Sequence, residues 1–389
     1  MRLRPPLMVA QDCIPPAGGL ETCATAIVLR CKAGNCIIRG KSSTVPYDIP
    51  PAWQPALSQI SSGTCIALGD VDSGKSTFCA ILASAQAQAG RRVAVVDADV
   101  GQSDIGPPAA VSMGIVPGPI ERLGEVPASA IDFVGATSPA GHLLQAATST
   151  AIITRKAGAQ ADLVIVDTTG MIRGGAARAL KAAKIALLSP DWLVVLQREE
   201  EAEPILAPHR FSKHPQTVRL PVSKDVQRKT FDERRLKRQR KFAEYFRGAS
   251  TMRLPWSSVA LEGSALFSGT PMPGQWCAHA EEYIGAEVHH VERTGRTMLA
   301  LADGPANRSA ERAAEAAGFE VEWLSRFENL LVGLLDPLGD TIALGIIVGA
   351  SPQERVFKIL SPLASAENIA CIRLGSMRLL SDGTELGVS

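Results

Sequence analysis

The sequence predicts an α/β fold, a parallel sheet flanked by helices, with a small N-terminal β module and a C-terminal β-rich domain. Three observations predict it. Short β-branched runs alternate with alanine-rich helical segments through the middle of the chain, the pattern of a parallel sheet wrapped by helices. Gly69, Gly74, Lys75 and Ser76 fit G-x-x-x-x-G-K-[ST] directly after one of those runs and at the start of a helical segment, the context that makes the sheet P-loop NTPase-type. The composition, 46% hydrophobic against 20% charged over 389 residues, is that of a globular chain with room for two or three domains.

Taken in order, residues 1–58 hold "ATAIVLRCKAGNCIIRGKSSTV", a hairpin turning at "KAGN", and the Pro-rich "VPYDIPPAWQP" (45–55), read as a linker. Residues 59–257 carry the sheet domain. Its strands fall at 64–69, 91–99, 130–136, 161–169, 191–197 and 217–222, where Val and Ile concentrate. Helices fill Lys75–Ala89, His142–Ala157, Gly175–Leu188 and Asp232–Phe246, where Ala, Leu and charged helix formers dominate. Residues 258–389 form the β-rich domain, with "FENLLVGLLDPLGDTIALGIIVGA" giving two strands joined at "DPLGD".

No segment is apolar for the eighteen or so residues a membrane span needs, and the apolar run after Met1 is too short and Pro-broken for a signal peptide. A soluble, intracellular protein is expected, cytoplasmic if prokaryotic. The eight cysteines show no C-x-x-C pairing and read as reduced thiols. A formal net charge of +1 conceals a local imbalance: Lys224–Gly248 carries ten Lys or Arg against four Asp or Glu, so the remaining residues sum to −5. One basic landing place for a phosphate-rich partner is expected, rather than a basic surface.

In the loop itself, Gly69, Asp70, Val71, Asp72, Ser73, Gly74, Lys75, Ser76 and Thr77 are expected to cradle the phosphates of ATP or another NTP with inward N–H groups. Lys75 would reach the β- and γ-phosphates and Ser76 would take a Mg²⁺ position. A GTPase would need an Asn-Lys-x-Asp segment, and the chain has no Asn-Lys dipeptide. The deviant loop of partitioning and metal-insertion ATPases has an extra lysine where Asp70 and Val71 stand here. Asp167, in "LVIVDTTG", could serve a motor or transport ATPase as its principal acid. The strand at 91–99 ends in Asp97-Ala-Asp99, two acids expected on one face beyond the carboxyl end of the sheet. One of Asp97 and Asp99 would hold Mg²⁺ through water while the other accepts a proton from an attacking hydroxyl, which is kinase chemistry. The alternative for Asp97 is a cap on the turn "VGQSDIG".

"GDVDSGKST", "DADVGQSDI", "VDTTGMIRGGAARALKAAKIALLSPDWLVVLQ" and "SKDVQRKTFDERRLKRQRKFAEYFRG", in that order, resemble the polynucleotide 5′-hydroxyl kinases that include the pre-mRNA cleavage-complex kinase subunit and the nucleolar rRNA-processing kinase. The resemblance covers residues 64–248 and extends to the terminal β domain. It implies that Asp99 is the general base with Gln102 beside it, and that Thr168, Thr169, Gly170 and Met171 form the clasp that grips the terminal nucleotide, followed by Arg173. The clasp has Met171 where that family has tryptophan, which weakens base stacking. Residues 224–248 match the arginine-rich lid, with Arg228, Arg234, Arg235 and Arg238 as candidates for neutralising the transferring phosphoryl. RNA or DNA 5′-hydroxyl ends are the implied partner, along with RNA-processing proteins. Two other readings stay open: an ATP-bound scaffold subunit with little transfer activity, and a small-molecule P-loop kinase.

Overall fold

The structure is a computed structural model and describes residues 49–388; the hairpin expected before residue 48 lies outside them. The second half of the stretch read as a linker is helical. Pro51–Trp53 form a 3-10 turn that leads into α1 (Gln54–Gln59), since proline is well tolerated in a first turn, where its missing N–H costs nothing. Trp53 holds it there. Its indole is 1% exposed, meets Phe78 edge-on at 5.5 Å and donates from Nε1 to the Pro221 carbonyl at 2.9 Å.

The first sheet is built from β1 (Gly63–Gly69), β2 (Val93–Ala98), β3 (Ala110–Ile115), β4 (Ala130–Phe133), β5 (Leu163–Thr168), β6 (Trp192–Gln197) and β7 (Gln216–Pro221). The spatial order is β4-β3-β2-β5-β1-β6-β7. β2, β5, β1, β6 and β7 run parallel, as the alternation with α2 (Lys75–Gln88), α3 (Leu143–Gly158) and α4 (Gly174–Leu188) requires. The edge differs from expectation. β3 was not foreseen, and it pairs antiparallel with both β2 and β4, so the sheet is mixed at that side. The run at 130–136 is strand only to Phe133, because Val134 and Gly135 turn back onto Ala109.

Successive side chains of a strand face opposite ways, and β2 shows the consequence. Val93 and Val95 join α1 and α2 in one apolar layer with Phe78 and Leu82; Ala94 and Val96 join α3 and α4 in the other with Ile153 and Leu180. Each valine so buried contributes about 1.5–3 kcal/mol, which explains why the parallel strands read as continuous hydrophobic runs. Carboxyl ends of β1, β2 and β5 therefore meet at one rim.

After α5 (Glu203–Leu206) and β7 comes α6 (Phe231–Tyr245), started by a capping box in which Thr230 and Glu233 satisfy each other's backbone N–H groups. The chain then enters the C-terminal region earlier than residue 258, at β8 (Ser250–Pro255). β9 (Ala260–Glu262), β10 (Thr270–Pro271), α7 (Gln275–Ile284), β11 (Val288–Thr294), β12 (Thr297–Ala302), α8 (Arg308–Ala316) and β13 (Phe319–Trp323) follow. β14 (Leu330–Leu335), β15 (Thr341–Ser351), β16 (Val356–Ser361), β17 (Cys371–Leu379) and β18 (Glu385–Val388) complete it. A four-stranded sheet runs β10-β11-β12-β13, and a larger one runs β18-β17-β14-β15-β16-β8 with β9 beside β17. β14 and β15 are the antiparallel pair expected around "DPLGD". All three sheets belong to one compact unit, Tyr47–Ser389. Phe133, Phe242, Leu331 and Leu344 share an apolar cluster that joins the first sheet, α6 and the C-terminal sheet.

Candidate active site

At the rim, β1 ends at Gly69 and α2 begins at Lys75, with Gly74 in the left-handed region at φ 87°, where only glycine sits without strain. A Cβ on Gly69 would lie 2.4 Å from the Leu196 carbonyl oxygen. The loop borders a cleft of about 690 Å³ lined by Val71, Asp72, Ser73, Gly74, Lys75, Ser76 and Thr77, together with Asp99, Gln102, Gly170 and lid residues. Lys75 is 6% exposed, and its Nζ donates to the Asp70 carbonyl at 2.8 Å. With the loop shape and the start of α2 directed at one point, the site is built for phosphate.

The acids part company. β2 stops at Ala98, so Asp97 and Asp99 do not overhang the cleft as a pair. Asp97 is 2% exposed, and its carboxylate accepts from the backbone N–H groups of Asp99, Asp104 and Ile105 at 3.1, 2.6 and 2.9 Å. It closes the turn. Burial, with the nearby charges of Asp167 and Asp104, pushes it up to about 8. Asp99 lines the cleft and is oriented by the N–H groups of Gly101 and Gln102, at 3.2 and 3.1 Å from its Oδ1. The Ser76 hydroxyl donates to Asp167 Oδ2, while the buried Asp167 Oδ1 has no partner among the described residues. Burial pushes Asp167 up to about 6, with Lys75 and Ser76 opposing. A donor set of hydroxyl and carboxylate with an open oxygen suits a hard divalent cation, so Ser76 and Asp167, rather than Ser76 and Asp97, could hold the metal.

In the clasp segment, only Gly170 lines the cleft. The Thr168 hydroxyl donates to the Ala67 carbonyl at 2.7 Å, and Thr169 is 5% exposed. Met171, partly buried, packs against the apolar layer that α3 and α4 share. Arg173 is at the surface, 3.2 Å from Asp70. Gln102 lines the cleft with its Nε2 on the Gly101 carbonyl at 2.7 Å.

Of the lid arginines, Arg234 reaches the cleft and pairs with Asp72 of the phosphate loop. Arg238 also borders it, but its guanidinium is clamped by Glu385 at 2.6 and 2.9 Å. Arg235 turns outward, 3.9 Å from Asp232, and Arg228 is not among the cleft residues. Two lysines escaped sequence reasoning. Lys237 donates to the Gln102 carbonyl at 2.8 Å and Asp104 at 2.7 Å, though it stood in the basic run where only arginines were singled out. Lys181, inside an alanine-rich helix, gave no signal.

Among the described residues, Cys65, Cys79, Cys277 and Cys371 are free thiols, with burial pushing Cys65 up to about 12. Among the described residues, no helix is long and apolar enough to cross a membrane.

A phosphate loop on β1, acids at the ends of β2 and β5 and a basic helix over the opening define a nucleotide-binding P-loop protein of kinase type. Residues 69–248 match the family described as the mRNA cleavage and polyadenylation factor CLP1 P-loop. A polyribonucleotide 5′-hydroxyl-kinase of Pyrococcus furiosus is 32% identical over 351 residues, 89% of this chain and 97% of that one. Its counterpart in Methanocaldococcus jannaschii is 31% identical over 83% of this chain and 89% of its own. The chain belongs to the Clp1-type polyribonucleotide 5′-hydroxyl-kinase family. The fold is also that of Clp1p in its complex with Pcf11p, at a TM-score of 0.54 and 13% identity over 82% of this chain and 75% of that one.

Proposed function

We propose that the protein is an ATP- and Mg²⁺-dependent polynucleotide 5′-hydroxyl kinase that transfers the γ-phosphoryl to the 5′-hydroxyl end of RNA, with DNA ends as a second acceptor. The observation that carries this reading is the convergence of Lys75, Asp99 and Arg234 on one cleft. In-line transfer needs charge neutralised on the phosphoryl and a base at the attacking hydroxyl. Lys75 supplies positive charge at the β- and γ-phosphates, and Asp99 takes the acceptor proton at its carboxylate. Arg234 leaves Asp72 for the transferring phosphoryl. Ser76 and Asp167 would hold Mg²⁺, which when bound neutralises the phosphate oxygens. Gln102 and Gly170 border the acceptor side.

Transfer of labelled γ-phosphate, compared between a 5′-hydroxyl oligoribonucleotide and a free nucleoside at two salt concentrations, tests the reading. Each phosphate neutralised on a single strand contributes about −0.7 to the slope of log affinity against log salt, so the oligonucleotide should be the better acceptor and the more salt-sensitive one. Equal use of both with no salt effect would make this a small-molecule kinase; no transfer to either would leave the scaffold reading.

A further inference from the structure

Lys181 lies two turns into α4 and is 0% exposed. A lysine inside an apolar layer is costly unless its N–H groups are used. Its Nζ donates to Thr168 Oγ1 at 2.8 Å and to the Thr169 carbonyl at 2.7 Å. The Thr168 hydroxyl in turn donates its own hydrogen bond to the Ala67 carbonyl on β1, at 2.7 Å. One amine thus ties α4 to the loop after β5 and, through that loop, to the strand that feeds the phosphate loop. Lys184, one turn on and 1% exposed, has no hydrogen-bond partner among the described residues, so the contacts of Lys181 are not a general result of lysine burial on this helix.

The next residue makes that tie matter. A Cβ on Gly170 would lie 2.6 Å from the Val71 Cα, so the loop backbone rests on the phosphate loop with no margin. The Thr168 hydroxyl is turned into the protein, and Met171 packs, partly buried, against the apolar layer beside it. Gly170 is what the loop shows to the cleft. Any hold it has on an acceptor depends on where its main chain stands.

We propose that Lys181 is the positioning residue of the 168–170 loop, fixing its main chain against Val71 so that Gly170 meets the terminal nucleotide of the acceptor. This rests on the kinase reading above. In the full-length protein, Lys181→Met keeps the volume and removes the donors. Affinity for a non-hydrolysable ATP analogue should stay near wild type, while the KM for a 5′-hydroxyl oligoribonucleotide rises by about tenfold and kcat falls less, the split expected when ground-state grip is lost. Hydrogen exchange should speed up at 168–172 and stay unchanged in β2. Thr168→Val should act in the same direction and add little to Lys181→Met, since both cut one network. An unchanged acceptor KM with unchanged exchange at 168–172 overturns the proposal, as does an equal loss of ATP-analogue and acceptor affinity. Should Lys181→Met fail to fold, Thr168→Val decides by the same two readouts. Absence of transfer by the wild type would count against the kinase reading instead, with exchange at 168–172 still deciding what Lys181 holds.

Discussion

Asp97 and Asp99 stand two apart and meet different surroundings, one buried under backbone N–H groups and the other facing the cleft. Asp99→Asn keeps the size but removes the proposed base, so transfer should fall by at least about 10²-fold with ATP binding intact. Asp97→Asn sets an NH₂ group against a backbone N–H that now finds an oxygen. It should destabilise by about 1–3 kcal/mol and leave the Mg²⁺ dependence of transfer unchanged; a shifted Mg²⁺ optimum would return Asp97 to the metal. Lys184 offers a test in pH. Burial pushes its ammonium down to about 8, against the pull of Asp99, Asp97 and Asp167. Between about 8 and the ordinary lysine value near 10.4, the unfolded chain holds more protons than the folded one, so stability rises with pH across that window. Below it, the folded state carries the full penalty. Lys184→Met should therefore melt higher than wild type at pH 7, by the equivalent of about 1–3 kcal/mol, and the gap should close as pH rises from 8 towards 10.

α6 borders the cleft, and its attachment is polar along one face. Arg234 and the Lys229 N–H both engage Asp72, while Lys237 and Lys241 engage Asp104, the latter through its carbonyl. These ties join α6 and the residues just before it to the rim of the cleft, so α6 lies over it. Arg234→Ala should lower kcat by about 10³-fold, the low end for loss of an arginine finger, with a smaller effect on ATP affinity. Arg235→Ala, which removes an outward side chain 57% exposed, should stay within about threefold of wild type in steady-state assays. Equal losses in the two variants would mean that the lid acts through its net charge rather than through one placed guanidinium.

The C-terminal sheet holds the lid from the far side. Glu385, on β18, clamps Arg238 with side-chain exposures of 18% and 12%, and Gln239 donates to Thr384 at 3.2 Å. A Cβ on Gly383 would lie 2.1 Å from the Gln239 carbonyl oxygen, so the turn before β18 is pressed on the helix. Glu385→Gln leaves the Arg238 charge half-matched in a largely dry contact, where losing one partner costs up to about 3 kcal/mol. Faster hydrogen exchange across 231–245 and a lower kcat, with ATP affinity near wild type, are the expected result. Unchanged exchange in α6 would show that the apolar contacts of Phe242 and Phe246 alone hold it.

Much of this was legible residue by residue. The phosphate loop, the Val- and Ile-rich strands and the helix at Lys75 depend on interactions within a few residues, and local pattern reports local physics. α6 is of the same kind, since Thr230 and Glu233 cap it from within. What reached beyond local pattern was decided by packing. β3 runs against its neighbours because Ala110–Ile115 lies between β2 and β4 and pairs antiparallel with both, and β8 joins the C-terminal sheet because β16 lies beside it. Asp97, Asp99 and Asp167 are alike in sequence; only the folded chain gives the first three backbone donors, leaves the second facing the cleft and hands the third the Ser76 hydroxyl. Arg234 differs from Arg235 and Arg238 for the same reason, and Lys181 from Lys184. A side chain's chemistry is set by the groups that surround it, and those groups come from elements far apart in the chain that meet only when the layers close.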